Sequence, residues 1–340
     1  MPSKRVRPGM LFERHINSNE PRNFRAQHPS GQLRRPRLRR LVTAGVQGKT
    51  ISIVIVCHNE KNYLRRTLQS LTNGLPPRAE IVVVDDQSTD GSCDFLLSED
   101  RPYRNVIVVR SPSRLGVSGA RNFGAAHSRG EILVFSDAHV EVPKGWTKHV
   151  VEALAESAVG AVVPAVTGLD DPDSAQGYGM RFSNETLDVE WLGKTGDEPY
   201  PVPLMCGCFM AIRREVFDEL NGFDRGMALW GSEDLEFSLH LWLRGYKCLV
   251  LPQVTIAHRF TDAFQYPVNW EPLYNRLRVA VVHLGAERCF RVLSHSQSDV
   301  HIGFAWDRLV NSDVWSRRNA IRLARCHDDD WYFQRFESNS

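Results

Sequence analysis

The chain predicts an α/β fold built on a mostly parallel, Rossmann-like sheet with helices on both faces. Three observations carry this prediction. Short runs rich in β-branched residues recur through the first half, segments with apolar residues at helical spacing separate them, and a polar cluster stands at the end of three of the runs. Sheets of this kind bind ligands beyond the carboxyl ends of their strands.

The elements follow in order. Residues 51–56 (Ile-Ser-Ile-Val-Ile-Val) form the first strand, and Leu64, Leu68 and Leu71 mark a helix over 61–71 that Gly74-Leu75-Pro76-Pro77 ends. Ile81 to Val84 is a second strand running into the polar turn Asp85 to Gly91, which leads to a short helix; Asn105 to Val109 is a third strand. A helix over 119–128 is broken by Gly130 before the strand Ile132-Leu133-Val134-Phe135. From Val162 to Pro203 short strands alternate with acidic, Gly/Pro-containing loops that predict a smaller mixed sheet on the acceptor side; Leu169 to Asp173 reads as a mobile or acceptor-facing segment. A strand pair around Gly207 is expected over 203–212, then a helix over 214–219. The next helix begins after Ser232, a candidate N-cap, and carries Leu235, Leu239 and Trp242 on its inner face until Gly245. Strands at 248–251 and 252–256 then bring the chain to His258, and an amphipathic helix is expected over 275–284.

Asp137 and His139 stand two residues apart where the fourth strand ends, so their side chains share a face. One oxygen and one nitrogen on one face suit a divalent cation such as manganese, with coordination positions left for a ligand's oxygens. Cys57-His58-Asn59-Glu60 and Asp85-Asp86 end two other strands of the same sheet. A strand-end Asp pair is ordinarily turn chemistry; three such clusters on one edge point to a site. No G-x-G-x-x-G or P-loop follows the first strand, which argues against a dinucleotide fold and against a nucleotidyltransferase, so phosphates would be met by metal and arginine.

Composition is that of a globular protein, with 42% hydrophobic and 24% charged residues and a formal net charge of +2. That balance hides an asymmetry: residues 1–40 hold eleven Lys or Arg against Glu13 and Glu20. Residues 1–48 read as a basic arm, disordered or loosely docked. Its attraction to an anionic membrane amounts to about 1 kcal/mol per basic residue near the surface; a solubilising tail is the plain alternative, and the acidic body argues against nucleic acid. Seven cysteines, an odd number without zinc-like spacing, predict reduced thiols and a cytoplasmic protein, peripheral on the inner membrane face if the arm binds lipid. No apolar signal region opens the chain and no window of 18 apolar residues occurs.

Three blocks resemble the GT-A glycosyltransferases, family 2 and the related polypeptide N-acetylgalactosaminyltransferases. These are Ile51 to Glu60 with Val83 to Ser88, Arg114 to Trp146, and Met205 to Phe260. The resemblance implies a GT-A domain over 49–285, with 286–340 as a C-terminal helical extension. It implies a UDP-sugar donor whose diphosphate sits on Mn2+, or another divalent cation such as Mg2+, held by Asp137, His139 and His258. It places Val56, Cys57, Glu60, Asp85, Asp86, Arg114, Ala138, Trp230 and Arg259 beside the donor, with a carboxylate of the Asp pair accepting the uracil N–H. For Arg114 a surface ion pair is the plain alternative.

Glu233 and Asp234 are the catalytic pair that the resemblance implies. The polypeptide transferases, which retain configuration, have asparagine after the glutamate; inverting family 2 enzymes have Glu-Asp, with the aspartate as general base. The chain thus resembles retaining enzymes in its Asp-x-His and inverting ones in its Glu-Asp, and inversion through Asp234 is the favoured reading. If Glu233 and Asp234 merely serve the helix N-terminus, a retaining polypeptide transferase-like mechanism survives; a catalytically inactive nucleotide-sugar-binding protein is the reading of another class. The acceptor, a hydroxyl or thiol on peptide, glycan, lipid-linked or small molecule, is left open. Residues 259–267, which interleave Phe260, Phe264 and Tyr266 with polar residues, read as a lid over bound donor.

Overall fold

A computed structural model describes residues 49–98, 103–171, 173–184, 186–260 and 269–337. The basic arm and residues 261–267 of the expected lid lie outside the described residues.

The first half follows the predicted alternation: β1 (Ile51–Cys57), α1 (Tyr63–Thr72), β2 (Glu80–Asp85), α2 (Asp94–Leu97), β3 (Val106–Arg110), α3 (Gly116–Ala126) and β4 (Ile132–Asp137). Next come β5 (Val140–Glu141), α4 (Trp146–Ala153), β6 (Val159–Gly168), β7 (Met180–Phe182), β8 (Val189–Trp191), β9 (Tyr200–Pro201), β10 (Phe209–Arg213) and α5 (Arg214–Glu219). The chain continues through α6 (Glu233–Leu243), β11 (Lys247–His258), α7 (Glu271–His283), α8 (Ala286–Ser296), α9 (Ile302–Val310), α10 (Val314–Ala324) and α11 (Asp329–Glu337).

The main sheet runs β3-β2-β1-β4-β10-β6-β11-β5, with β9 also on β11. Strands β3, β2, β1 and β4 are mutually parallel, β10 is antiparallel to both neighbours, and β6 and β11 are parallel to each other. The second sheet is the antiparallel pair β7–β8. Period-two alternation divides the core: Ile51, Ile53 and Ile55 face one apolar cluster with Leu64 and Leu68 of α1, while Val54 faces the other with Ala120 of α3.

Several expectations are corrected. The strand pair around Gly207 reduces to β10, because the N–H and C=O of Gly207 are taken by side chains, Asp234 and Arg121, instead of a ladder. The two strands before His258 are one strand, β11, whose register against β6 shifts between Leu251 and Thr255, where Pro252 lacks an N–H. Ser232 occupies the N-cap position of α6 but in a left-handed conformation with no side-chain cap, and α6 is buried on nearly all sides. Helices α8–α11 pack onto this body: Val292, Ala305, Leu309, Val314, Ile321 and Tyr332 share one apolar cluster with residues of α6 and α7.

Candidate active site

Strand ends bring the predicted metal ligands together. β4 ends on Asp137, and the backbone then turns at once into β5, a turn held by Thr67, whose buried hydroxyl bonds the carbonyls of Ala138 and Val140 and accepts the Val140 N–H. In the antiparallel pairing of β5 with β11, His258 lies opposite Val140, and the Arg259 N–H donates to the His139 carbonyl at 3.1 Å. His139 and His258 therefore face each other with ring centroids 4.9 Å apart. One ligand atom each from Asp137, His139 and His258 lie within 4.8 Å of one another. His258 Nε2 is 3.3 Å from Asp137 Oδ2, and His139 Nε2 is 3.9 Å from the same oxygen.

Glu60 completes the set from behind, its carboxylate 2.9 Å from His139 Nδ1. A carboxylate on Nδ1 fixes the ring and turns Nε2 toward the cluster, as in many metal-bound histidines. One carboxylate oxygen and two imidazole nitrogens thus fit a divalent cation of manganese type. Burial lowers the His139 pKa, yet the Glu60 hydrogen bond and the Asp137 charge outweigh it and leave the group raised. At Asp137 burial works upward but loses to the His258 hydrogen bond and the Arg121 and His139 charges, which hold the carboxyl well below the ordinary carboxylate range.

Behind the cluster lies a residue that the sequence reading missed. Arg121 of α3, only 2% exposed, donates to Glu233 Oε1 at 3.1 Å, Asp137 Oδ1 at 3.2 Å and the Gly207 carbonyl at 2.7 Å. It joins the Asp137 carboxylate to the Glu-Asp pair. The available signal was a charged residue on the inner stripe of a helix, among buried Ala120, Gly124 and Ala125.

Asp234 is held by the Gly207 N–H on Oδ2 and the Leu235 N–H on Oδ1, each at 2.9 Å. A Cβ on Gly207 would stand 3.1 Å from Asp234 Oδ2, so a larger residue there would make the carboxylate give by tenths of an ångström. Burial and the neighbouring Glu233 charge push the Asp234 carboxyl up to about 7, against the opposing pull of Arg121 and the two N–H groups. Its segment is fixed by Asn275 of α7, also missed, whose amide donates to the carbonyls of Ala228, Trp230 and Gly231 and accepts the Ala228 N–H at 2.7 Å.

Asp137, His139, His258, Glu60, Arg121, Glu233 and Asp234 line one cleft of about 670 Å³. Of the predicted residues, Val56, Glu60, Arg114, Asp137, Ala138, His139, Trp230, Glu233, Asp234, His258 and Arg259 line it; Cys57, Asp85 and Asp86 do not. Both members of the Asp pair have partners within the chain itself. Asp86 is fully buried, and its oxygens accept from the Ser111 hydroxyl, the Leu115 and Gly116 N–H groups and Arg114, which uses all four lone-pair directions. It fastens the 111–116 loop, and Arg114, though on the cleft wall, is the cation of that fastening. Asp85 is similarly engaged by the Ser88 N–H and Arg110. The Cys57 side chain is buried and its carbonyl accepts the Asp86 N–H. His58 lines the cleft instead, its Nδ1 on the Asp86 carbonyl.

A sequence-family profile described as "Glycosyl transferase family 2" matches residues 52–221, half of the chain. The chain belongs to glycosyl transferase family 2. A second profile, "N-terminal domain of galactosyltransferase", matches residues 194–263, the span that holds Trp230 to Asp234 and His258. Within the family the chain is 34% identical over 242 residues to N-acetylgalactosaminyltransferase 6 of Drosophila melanogaster, covering 66% of this chain and 35% of that one. It is 32% identical over 316 residues to polypeptide N-acetylgalactosaminyltransferase 13 of Homo sapiens, covering 85% and 55%. The chain thus spans about a third to a half of the length of the curated relatives it matches. Among solved structures, GalNAc-T7 with UDP, GalNAc and Mn2+ superposes with a TM-score of 0.69 at 25% identity, covering 86% of this chain and 57% of that one. S. aureus TarS 1–349 in complex with UDP-GlcNAc, at 18% identity and a TM-score of 0.52 over 77% and 71%, shares the fold. This family 2 fold is the GT-A fold expected from the sequence.

Proposed function

We propose that the chain transfers a hexose or N-acetylhexosamine from a UDP-sugar to an acceptor hydroxyl or thiol, depends on a divalent metal, and inverts the anomeric configuration with Asp234 as general base. The carrying observation is that the Asp137–His139–His258 cluster and the Glu233–Asp234 pair share one cleft and one buried arginine. The relatives named as N-acetylgalactosaminyltransferases, and GalNAc-T7 solved with UDP and Mn2+, support the donor class and the metal.

Asp137, His139 and His258 would hold the divalent cation, which when bound would supply Lewis-acid stabilisation to the diphosphate leaving group. The chain's own residues do the rest. Glu60 keeps His139 Nε2 toward the ligand position, and Arg121 sets one buried positive charge between Asp137 and Glu233, which helps to hold Asp137 ionised. Asp234, aimed by the Gly207 and Leu235 N–H groups, takes the acceptor proton; with its carboxyl raised to about 7 it is a base matched to neutral pH. Trp230, 36% exposed at the cleft rim, gives the sugar an aromatic face to lie on.

The chain's likeness to polypeptide transferases, which retain configuration, favours a second reading, retention with Asp234 as a helix-end carboxylate. One relative, from Macaca fascicularis, is named an inactive polypeptide N-acetylgalactosaminyltransferase-like protein, so binding without turnover is the third. One experiment separates the three: the full chain is incubated with individual UDP-sugars, Mn2+ and an acceptor panel, with UDP release measured and the product anomer read by NMR. Inversion predicts the anomer opposite to the donor and abolition by Asp234→Asn. A product with the donor's configuration establishes retention, and tight UDP-sugar binding without release establishes an inactive binder.

A further inference from the structure

Cys206 and Cys208 flank Gly207, line the cleft, and put their sulfur atoms 3.4 Å apart. A disulfide needs sulfur atoms about 2 Å apart, so closure asks for only about 1 Å of movement. The pair differs from the chain's other thiols: Cys57 and Cys93, also neighbours, are both buried away from the cleft, as is Cys248.

The residue between the two thiols gives closure its consequence. The Gly207 N–H belongs to the Cys206–Gly207 peptide and holds Asp234 at 2.9 Å; the Gly207 carbonyl belongs to the Gly207–Cys208 peptide and receives Arg121 at 2.7 Å. A Cys206–Cys208 disulfide closes a small ring that contains both peptide groups. Closure constrains both peptide groups together, so any turn it imposes acts on the Asp234 and Arg121 contacts at once.

We infer that Cys206 and Cys208 form an oxidative modification site, closed to a disulfide by a hydroperoxide, that disarms the cleft by turning the Gly207 peptides away from Asp234 and Arg121. Cys206, the less buried of the two, meets the oxidant first. Its sulfur attacks the terminal peroxide oxygen and the O–O bond breaks; the departing alkoxide takes a proton and leaves as alcohol, so that Cys206 becomes a sulfenic acid. The Cys208 sulfur then displaces hydroxide from Cys206, the hydroxide takes the Cys208 proton and leaves as water, and the S–S bond forms. Two electrons pass from the sulfur pair to the peroxide. A thiol reductant reverses the closure by exchange. The effect on turnover rests on the proposed transferase reading; the modification itself does not.

The test treats the full chain with hydrogen peroxide, alkylates free thiols, and maps peptides by mass spectrometry without reduction. A peptide that holds both cysteines, lacks two hydrogens and carries no alkyl label until reduced is the expected product. Amide exchange at Gly207 should rise in the oxidised form. UDP-sugar turnover should fall by about 100-fold, the low end of what a positioned base contributes, and return with reductant. In Cys208→Ser the crosslink should be missing and the ratio of treated to untreated turnover should stay near one. The inference is overturned if Cys206 and Cys208 both alkylate after a dose that oxidises the exposed Cys326, or if the disulfide forms and leaves Gly207 exchange and turnover unchanged. A chain without turnover before oxidation refutes the transferase reading, and the crosslink and the exchange still decide this one.

Discussion

Arg121→Met removes the cation that joins the two halves of the site while filling a similar volume. Glu233, buried on α6, then has no partner from α3, and the Gly207 carbonyl loses its donor. Removing one member of a buried ion pair costs about 3–5 kcal/mol, because a buried charge is left uncompensated. Asp137 is partly open to the cleft and can be rehydrated, so the low end, about 3 kcal/mol, is the expected loss. In urea denaturation, with a slope of about 3 kcal/mol per molar, the midpoint should fall by about 1 M. A second readout separates the site from the scaffold. The Arg121 charge pulls the Asp234 carboxyl down against burial and Glu233, so its loss should carry the acid limb of the kcat profile above the value near 7 expected for the parent. A midpoint within about 0.2 M of the parent, inside the error of such extrapolations, together with an unmoved acid limb would refute the reasoning.

Three further outcomes are expected. Glu60→Gln should weaken Mn2+ affinity by about 10–100-fold with the fold intact, since the carboxylate behind His139 goes, as isothermal titration would show. Gly207→Ala sets a Cβ within 3.1–3.3 Å of the Asp234 side chain, so the carboxylate must shift by tenths of an ångström; kcat should drop about tenfold with little change in the urea midpoint. His240, buried on α6, has its pKa pushed down to about 3, chiefly by burial, from an ordinary 6.5. The unfolded chain takes up that proton near 6.5 and the folded one only near 3, so stability should fall as pH drops through this window by up to about 1.4 kcal/mol per unit. His240→Gln should flatten that slope in urea titrations at pH 4 to 7.

Much of the fold was legible because its early strands are apolar runs and its first helix carries Leu64, Leu68 and Leu71 at helical spacing. The Asp-x-His cluster was legible because both residues close one strand. What escaped was set by partners distant in sequence. Asp86 reads as a free strand-end acid until Ser111, Arg114 and the 115–116 amides are seen to consume its lone pairs. Arg121 sits 112 residues before Glu233 and 86 before Gly207, and nothing local announces that they meet. Asn275 looked like the start of an amphipathic helix and proved to be the clamp on the Trp230 segment. Around Gly207 a strand pattern was overridden because side chains claimed the backbone groups.

The central claim, that Asp137, His139 and His258 hold the cation on which the UDP-sugar docks, is tested most directly by titrating Mn2+ with and without UDP into the parent chain and the Asp137→Ala and His258→Ala variants. One Mn2+ per chain, UDP binding that strengthens with Mn2+, and loss of both in each variant is the predicted result. Equal Mn2+ and UDP affinities in the parent and both variants would contradict it.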